Sequence, residues 1–356
     1  MACVNIRRGS VLLDLGLVRA IRLLWIALLT LLPAVAQAQF TFTNTDGIWS
    51  YTTNNGSITI TGFVGSGNVT VPNIIPPRLG FPAGIVRCVG DRAFSQFLGP
   101  FGDKPTGVTI PDSVTNIGNY VFEEAINLTS LVIGAGVASI GTYGFRWTYS
   151  LQSITVNSTN AFYSSVGGVL FDKSQTTLVQ YPTCNPAPNY TVPNGVTNIG
   201  DLAFWFAFNL TNVTLPPSVT SLGYQAFANG VALNSVCFTG NSPPITNDSS
   251  VFAYDTNVIY YLPTTTGWGS LFDGRPTVQW LPQIQTNGTS FGIQSNQFGF
   301  SMSWASGQIV VVEACTNLAN PVWNPVATNT LTGGTSYFSD PQWTNYPGRF
   351  YRIRSW

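Results

Sequence analysis

Few side chains in this sequence are able to carry out acid–base or nucleophilic chemistry. Its 356 residues include no histidine, 14 Lys and Arg residues and 14 Asp and Glu residues. Without histidine, Ser-His-Asp and Cys-His arrangements, histidine metal sites and histidine proton relays are excluded. Carboxylate pairs are the one catalytic class that remains, because sugar-cleaving enzymes can work with two Asp or Glu side chains alone.

One local pattern fits a known nucleophile motif. Gly288-Thr-Ser290-Phe-Gly292 matches G-x-S-x-G, but that motif requires a strand-turn-helix context and a base. The surrounding residues are typical of a turn in a β-domain, and the base is missing. No Walker loop, EF-hand loop or Cys-x-x-Cys pair occurs. The sequence therefore predicts no catalytic residue, no metal ligand and no cofactor.

The N-terminal residues have the form of an export signal. Four arginines, an apolar run from Leu23 to Val35 and the small-x-small site Ala36-Gln37-Ala38 follow one another. The run is shorter than the roughly 20 residues of a membrane-spanning helix. We therefore predict a signal peptide at residues 1–38 and a secreted or cell-surface mature chain without an integral membrane segment. That chain would carry 10 basic and 13 acidic residues, a balance unsuited to nucleic-acid binding.

The four cysteines of the mature chain leave two alternatives open. Cys88, Cys184, Cys237 and Cys315 lie far apart in the sequence. An oxidising compartment permits disulfides, but a chain of this length builds a core without them. A pairing among the first three and a set of buried thiols both remain possible outcomes.

A pattern with a period of 23 residues organises the middle of the chain and must position any site. Each copy has Val-x-x-(Ile/Leu)-Gly, a Phe four residues after the Gly, and then a short strand of alternating apolar residues. Four copies begin at Val114, Val137, Val196 and Val219, and a looser copy runs from Val69 to Phe94. Five copies exceed the roughly three that a solenoid needs. We expect strands of successive coils to pair, the Gly to take a positive φ and the Phe rings to stack.

This arrangement resembles the BspA-like leucine-rich repeats of bacterial surface proteins, over roughly residues 57–280. The stretch from Tyr163 to Pro182 resembles the hairpin-like unit found inside such arrays, and it separates the third and fourth copies. The resemblance implies a leucine-rich-repeat solenoid, mainly β with short helical or irregular convex segments, displayed outside the cell and often used in adhesion. We place the solenoid at residues 39–282, with a hairpin-like insertion at 157–189.

The C-terminal residues 283–356 have no such repeat. Short alternating runs separated by Gly, Asn and Pro predict a small antiparallel β-sandwich. This segment resembles a fibronectin-III-type module, and its role in ligand binding, surface attachment or sorting is left open.

Candidate binding residues come from positions that the repeat does not constrain. The positions one and two places after the repeat Phe hold a different residue type in each copy, and they include Trp147, Trp205 and Phe206. These three residues are therefore candidates for stacking on a sugar ring or an apolar patch. Packing against the insertion is the alternative. The residue four places after the repeat Phe is always apolar, so Tyr149 and Phe208 are expected in the core. Glu123 and Arg146 are expected to form an exposed ion pair that contributes little stability.

The outward strand positions form a second candidate surface. They are almost uncharged and rich in hydroxyl and amide groups, which suits a neutral glycan or an extended peptide. A threonine-rich strand face is also what β-propensity favours at a solvated surface. The candidate ligand contacts on this face are Thr129, Thr155 and Thr214.

Three functional hypotheses follow. The first is a non-enzymatic binding or adhesion protein with an extracellular protein or glycan as its partner. The second is a secreted carbohydrate-active enzyme with an Asp/Glu pair in a cleft. The third is a structural component of an outer layer or matrix, which would self-associate.

Overall fold

The computed structural model describes residues 39–77, 83–95, 104–244 and 250–356. The predicted signal peptide, residues 1–38, lies outside these ranges. In the described residues the secondary structure is β apart from one 3-10 helix, Trp343–Asn345. The mainly-β fold class is therefore confirmed, and the segments between strands are turns rather than helices. Within the same ranges, no helix has the length and apolar character needed to cross a bilayer.

An antiparallel meander of three strands precedes the repeats. The strands of this part are β1 (Phe40–Thr43), β2 (Ile48–Asn54), β3 (Ser57–Val64), β4 (Gly67–Thr70), β5 (Ile74–Ile75) and β6 (Gly84–Val89). The meander β1–β2–β3 joins the repeats because β3 pairs in parallel with β6. Trp49 is fully buried and meets the repeat ring Phe94 edge-on at 6.0 Å between centroids. The meander thus covers the first end of the repeat core.

Each 23-residue coil contributes one strand to each of two parallel sheets. We number the coils 1 to 5 by their order in the sequence, so that coils 2, 3, 4 and 5 begin at Val114, Val137, Val196 and Val219. β7 (Pro105–Ile110) ends coil 1. The strands of coil 2 are β8 (Asn116–Ile117) and β9 (Ser130–Ile133), and those of coil 3 are β10 (Ser139–Ile140) and β11 (Ser153–Val156). In one sheet β6, β8 and β10 pair, and in the other β4, β7, β9 and β11 pair. Residues 23 apart face each other, as Ile154 faces Leu131.

A hairpin and a shortened turn separate coils 3 and 4. The strands here are β12 (Tyr163–Val166), β13 (Val169–Asp172) and β14 (Thr177–Gln180). β12, β13 and β14 are antiparallel, and β14 then pairs in parallel with the first strand of coil 4. Neighbouring residues of β13 pack into two different hydrophobic cores. Leu170 belongs to the core of coils 1 to 3, and Val169 belongs to the core of coils 4 and 5.

The second half repeats the same geometry. Its strands are β15 (Asn189–Thr191), β16 (Asn198–Ile199), β17 (Asn212–Leu215), β18 (Ser221–Leu222), β19 (Ser235–Phe238), β20 (Val258–Tyr261), β21 (Leu271–Phe272) and β22 (Arg275–Gln279). One sheet continues as β14, β16 and β18, and the other runs β15, β17, β19, β20, β22. β20 belongs to a further coil that the sequence pattern did not reveal, since Ile259 pairs with Val236.

The repeat rings stack along the core as expected. The ring of Phe122 lies 5.4 Å from that of Phe94 and 6.0 Å from that of Phe145, and Phe204 and Phe227 are 4.8 Å apart with planes 7° from parallel. Phe252 continues the second stack at 5.2 Å. These contacts link neighbouring coils, which is how a solenoid gains its stability.

The repeat glycine has a different role from the one expected. Gly118, Gly141, Gly200 and Gly223 do not have positive φ; the left-handed residues are non-glycine positions such as Tyr143 (φ 56°) and Trp147 (φ 60°). A Cβ on Gly141 would lie 2.5 Å from the backbone N of Asn119 in the preceding coil. Glycine is therefore required by close approach of neighbouring coils rather than by its conformation.

One further expectation is corrected by the burial pattern. The residue four places after the repeat Phe is not in the core: Tyr149 is 37% exposed, Val231 is 75% exposed and Phe208 is half-buried. These positions end the turn at the surface, and an apolar residue type does not by itself bring burial.

The cysteines form no disulfide within the described residues; Cys237 and Cys315 are buried, and Cys88 and Cys184 are half-buried.

The C-terminal residues form two antiparallel sheets around a core that also includes Leu262. The strands are β23 (Gln283–Gln285), β24 (Gly292–Gln294), β25 (Gln297–Ser303), β26 (Ile309–Cys315), β27 (Asn324–Thr330), β28 (Thr335–Asp340) and β29 (Phe350–Ser355). β23, β24 and β28 pair with β25, while β27 and β29 pair with β26. Phe300, Val312 and Phe338 lie between the two sheets. The predicted small β-sandwich is confirmed.

Candidate functional site

The outward face of the sheet β15–β17–β19–β20 carries two rows of side chains across successive coils. One row is Asn189, Asn212 and Ser235, and the other is Thr191, Thr214, Cys237 and Tyr260. Their spacing follows from the parallel register, which places residues 23 apart side by side. The predicted contact Thr214 lies in the second row.

The two rows differ in how their polar groups are used. In the first row, the Asn212 amide donates to Asn189 Oδ1 at 2.7 Å, and the Ser235 hydroxyl donates to Asn212 Oδ1 at 2.6 Å. In the second row, the structure gives the hydroxyls of Thr191 and Thr214 no hydrogen-bond partner among the described residues. The second row therefore offers hydroxyl groups to a ligand, while the first row stiffens the face.

A groove lies along this face, with C-terminal residues as its other wall. The strand-face groove is defined here as the cavity between these two rows and residues 303–306 and 333–334, with a volume of about 1050 Å³. The C-terminal wall explains why Ser235 and Cys237, though they point outward, are each only 8% exposed. Burial raises the pKa of the Cys237 thiol to about 11, so this thiol is protonated at neutral pH.

The chemistry of the strand-face groove is neutral and polar. Asn, Thr and Ser side chains alternate with the rings of Tyr260 and Trp280, and none of the twenty described lining residues is charged. The ring of Tyr190 points the other way and packs on Tyr181 and Phe204 in the core. The groove accordingly lacks the carboxylate pair that a glycosidase needs. Within the described part of the chain, no group of three or more Cys, Asp and Glu side chains is placed to hold a metal ion.

The other two predicted threonines lie on the first sheet. Thr155 is exposed on β11, in the row that corresponds to that of Thr214. Thr129 precedes β9, and its hydroxyl donates to the carbonyl of Thr106 at 2.8 Å. The structure therefore does not bring the three threonines into one site.

The three predicted aromatic residues lie together on the turn side of coils 3 and 4. The Trp147 and Trp205 rings are 6.1 Å apart, and the Trp205 and Phe206 rings are 4.4 Å apart and nearly perpendicular. Trp205 is only 6% exposed, whereas Trp147 and Phe206 are half-buried. Mutual packing accounts for Trp205, and stacking of Trp147 and Phe206 on a ligand stays a prediction.

The ion pair expected at Glu123 is present but is not exposed. The Glu123 side chain is only 4% exposed and lies 3.1 Å from Arg92 Nε and 3.9 Å from Arg146 Nη1. Arginines from the coil before and the coil after thus enclose one buried carboxylate. It serves as a bridge between three coils.

Comparison with known proteins agrees with this architecture. The family profile described as "BspA type Leucine rich repeat region" matches six copies, over residues 101–181 and 179–261. No curated protein sequence matches the chain. The resemblance of residues 283–356 to a fibronectin-III-type module is not confirmed by these comparisons.

Several solved leucine-rich-repeat structures are similar to the chain. A leucine rich cell surface protein from Faecalibacterium prausnitzii is 20% identical, with 64% of this chain and 86% of that chain covered and a TM-score of 0.32. A leucine-rich repeat protein from Eubacterium ventriosum is 20% identical, with 57% of this chain and 73% of that chain covered and a TM-score of 0.33. The T. pallidum Leucine Rich Repeat protein is 23% identical, with 56% of this chain and 71% of that chain covered and a TM-score of 0.32. From the family match and the observed coils, residues 101–261 belong to the BspA-type leucine-rich-repeat family.

Proposed function

We propose that the protein is an exported, non-enzymatic binding protein that holds a neutral glycan in the strand-face groove. The observation that carries this proposal is the lining of the groove, which combines hydroxyl and amide groups with the rings of Tyr260 and Trp280 and carries no charge among the described residues. Hydroxyl and amide groups both donate and accept hydrogen bonds, as sugar hydroxyls do. The rings of Tyr260 and Trp280 supply apolar faces with a polar edge.

Other features of the chain support a location outside the cytoplasm. The sequence of residues 1–38 has the form of a signal peptide, and the BspA-type repeats support a role in adhesion at a cell surface or in the medium. An uncharged groove would attract its ligand by contact rather than by long-range steering. Binding is therefore expected to be little affected by salt.

A neutral glycan array probed with the chain from residue 39 onward tests the proposal. Thr214→Val removes the free hydroxyl while keeping the shape, and we expect it to weaken glycan binding about tenfold. Thr155→Val makes the same change in the corresponding row of the other sheet and is expected to leave binding unchanged. The proposal fails if no neutral glycan binds, or if both variants lose binding equally.

The aromatic cluster is tested on the same array with Trp147→Ala and Trp205→Ala. Trp147 is half-buried and lies outside the strand-face groove, so a glycan held in that groove is expected to bind Trp147→Ala unchanged. Trp205 is buried, so its variant is compared only after its melting temperature has been measured. Unchanged glycan binding in Trp147→Ala, and in a folded Trp205→Ala variant, would remove these side chains from the binding site.

A further inference from the structure

On the turn side of the coils, backbone N–H groups of one coil bond to carbonyls of the next. In coil 2 the N–H groups of Tyr120, Phe122 and Glu124 each donate at 3.0 Å to carbonyls of coil 3. In coil 4 the corresponding N–H groups of Leu202, Phe204 and Phe206 donate to carbonyls of coil 5 at 2.7–3.2 Å. This ladder is a regular feature of the full coils.

The ladder is interrupted after coil 3. The corresponding N–H groups of Tyr143, Phe145 and Trp147 have no acceptor among the described residues. On the other side of the gap, the carbonyls of Asp201 and Trp205 have no donor among the described residues. Backbone polar groups left without partners are costly unless water or a ligand satisfies them.

A shortened turn causes the interruption. In coil 2, four residues separate the strand residue Ile117 from the ring residue Phe122. In the turn after β14, the equivalent residues are Leu178 and Tyr181, and only two residues separate them. Leu178 is the strand residue because it pairs with Ile199, and Tyr181 is the ring residue because its N–H bonds to the carbonyl of Ala203. The core stays filled, but the outer part of one turn is missing.

The missing segment leaves a cleft of about 230 Å³ between coils 3 and 4, here called the turn-side cleft. Tyr143 and Arg146 lie on one wall, Asp201 and Trp205 on the other, and Gln180 is part of the shortened turn between them. The indole N–H of Trp205 is buried and has no acceptor among the described residues. The Arg146 side chain lies 3.9 Å from Glu123 of coil 2, and the Asp201 carboxylate accepts a hydrogen bond from the Tyr224 N–H of coil 5. The unsatisfied groups at the cleft are therefore the backbone ones and the indole N–H of Trp205.

We propose that the turn-side cleft binds a short peptide segment of a partner protein, whose backbone takes the place of the missing turn. Carbonyls of the segment would accept from the N–H groups of Tyr143 and Phe145, and its own N–H groups would donate to the carbonyls of Asp201 and Trp205, all of which line the cleft. The free groups are N–H on one wall and C=O on the other, and a polypeptide carries both kinds of group along its backbone.

This site is separate from the strand-face groove, since the two cavities share no lining residue. A variant that loses glycan binding is therefore not expected to lose peptide binding, and the reverse also holds. The two proposals fail independently.

Amide hydrogen exchange of the free chain is the first test. We expect the amides of Tyr143, Phe145 and Trp147 to exchange faster than those of Tyr120, Phe122 and Glu124, by at least about a factor of ten. The second group occupies the same positions in coil 2 and serves as an internal control. Equal protection in the two coils would overturn the proposal, because the edge would then be closed.

The second test selects ligands from a phage library of random short peptides. A selected peptide is expected to slow exchange at residues 142–147 and to leave the exchange of residues 119–124 unchanged. A library that yields no such peptide, or protection of 142–147 by a neutral oligosaccharide instead, would overturn the proposal.

A pair of variants shows whether the peptide occupies the cleft. Thr142 lines the cleft, and Tyr224 holds the same position in coil 5. In each case the backbone N–H donates to the side-chain Oδ1 of the residue 23 places earlier, Asn119 for Thr142 and Asp201 for Tyr224. Thr142→Tyr therefore adds a ring at a position that accepts one, and we expect at least an about tenfold loss of peptide binding. Tyr224→Thr is the matched control and is expected to bind normally. Unchanged binding in Thr142→Tyr would place the peptide elsewhere and contradict the proposal.

Discussion

The ring of Tyr181 stacks on that of Phe204 with 5.1 Å between centroids and 28° between planes. Its backbone N–H bonds to the carbonyl of Ala203, just as that of Phe122 bonds to the carbonyl of Gly144. Tyr181 is thus the repeat ring of the shortened turn after β14. It keeps the second core closed at the point where the 23-residue period is broken.

Replacement of this ring is expected to be strongly destabilising. Tyr181 is 1% exposed, so Tyr181→Ala leaves a cavity and should lower the free energy of unfolding by about 3–5 kcal/mol. Tyr181→Phe keeps the ring and loses only a 3.3 Å hydrogen bond to the carbonyl of Ala187, at about 1 kcal/mol. Chemical denaturation of both variants checks this. Equal losses would show that the hydroxyl, not the stacked ring, sets the stability here.

The repeat glycines give a second matched pair. A Cβ at Gly141 would lie 2.5 Å from backbone atoms of the preceding coil, whereas at Gly200, which follows the shortened turn, the nearest atom is 3.0 Å away. We expect Gly141→Ala to cost about 2–3 kcal/mol and Gly200→Ala about 1 kcal/mol or less. Melting temperatures of the two variants decide this. A larger loss in Gly200→Ala would contradict the close-approach explanation.

The periodic part of this architecture was accessible from sequence because every coil makes the same contacts. Rings 23 residues apart, such as Phe204 and Phe227, and inward strand residues such as Leu131 are found where the period predicts them. The repeat pattern did not include Tyr181 because the strand before it pairs at an interval of 21 residues, Leu178 with Ile199, and not at 23. A shortened turn removes the signal on which the prediction depends.

The candidate sites were less accessible for a different reason. Thr214 was identified from the outward alternation of its strand, which is a local property. The wall formed by residues 303–306 depends on how the C-terminal region meets that strand, and no periodic pattern encodes such a contact. Trp205 is a candidate for ligand stacking on sequence grounds because its position varies among copies, yet the neighbouring rings of Trp147 and Phe206 help to bury it.

Thiol reactivity distinguishes the four cysteines. Burial raises the pKa of Cys237 to about 11, and the reactive form of a cysteine is the thiolate. We expect maleimide to label the half-buried Cys88 and Cys184 first, and Cys237 only after denaturation. Mass spectrometry of the labelled peptides measures this. A denatured, unreduced chain in which any of the four resists labelling would indicate a disulfide and contradict the free thiols of the structure.

Glu313 is expected to contribute to stability above acidic pH. Hydrogen bonds from Arg354 Nε at 2.8 Å and Arg352 Nε at 2.7 Å hold the pKa of this carboxyl below its usual value. A lowered pKa means that the contribution is present above the pKa of the unfolded chain and is lost as pH falls through the folded value. Glu313→Gln should therefore melt lower at pH 7, with a smaller difference from the parent chain at pH 3. A constant difference at both pH values would show that charge is not involved.

Asp255 is expected to have the opposite effect on pH dependence. It is 6% exposed, and burial raises its pKa to about 7, although Oδ1 accepts a hydrogen bond from the Gly230 N–H at 2.7 Å and the charge of Arg275 favours ionisation. Between pH 4 and 7 the folded chain holds a proton that the unfolded chain has released, so stability falls as pH rises through this window, by on the order of 4 kcal/mol.

Asp255→Asn retains the Oδ1 acceptor and cannot ionise. We expect this variant to be more stable than the parent chain at pH 8 and to approach it at pH 4, which melting curves across that range would measure. Glu313→Gln is the control, because its effect has the opposite sign and lies at lower pH. A variant that is less stable than the parent chain at pH 8 would mean that the ionised carboxylate is stabilised by Arg275, and that desolvation does not dominate at this site.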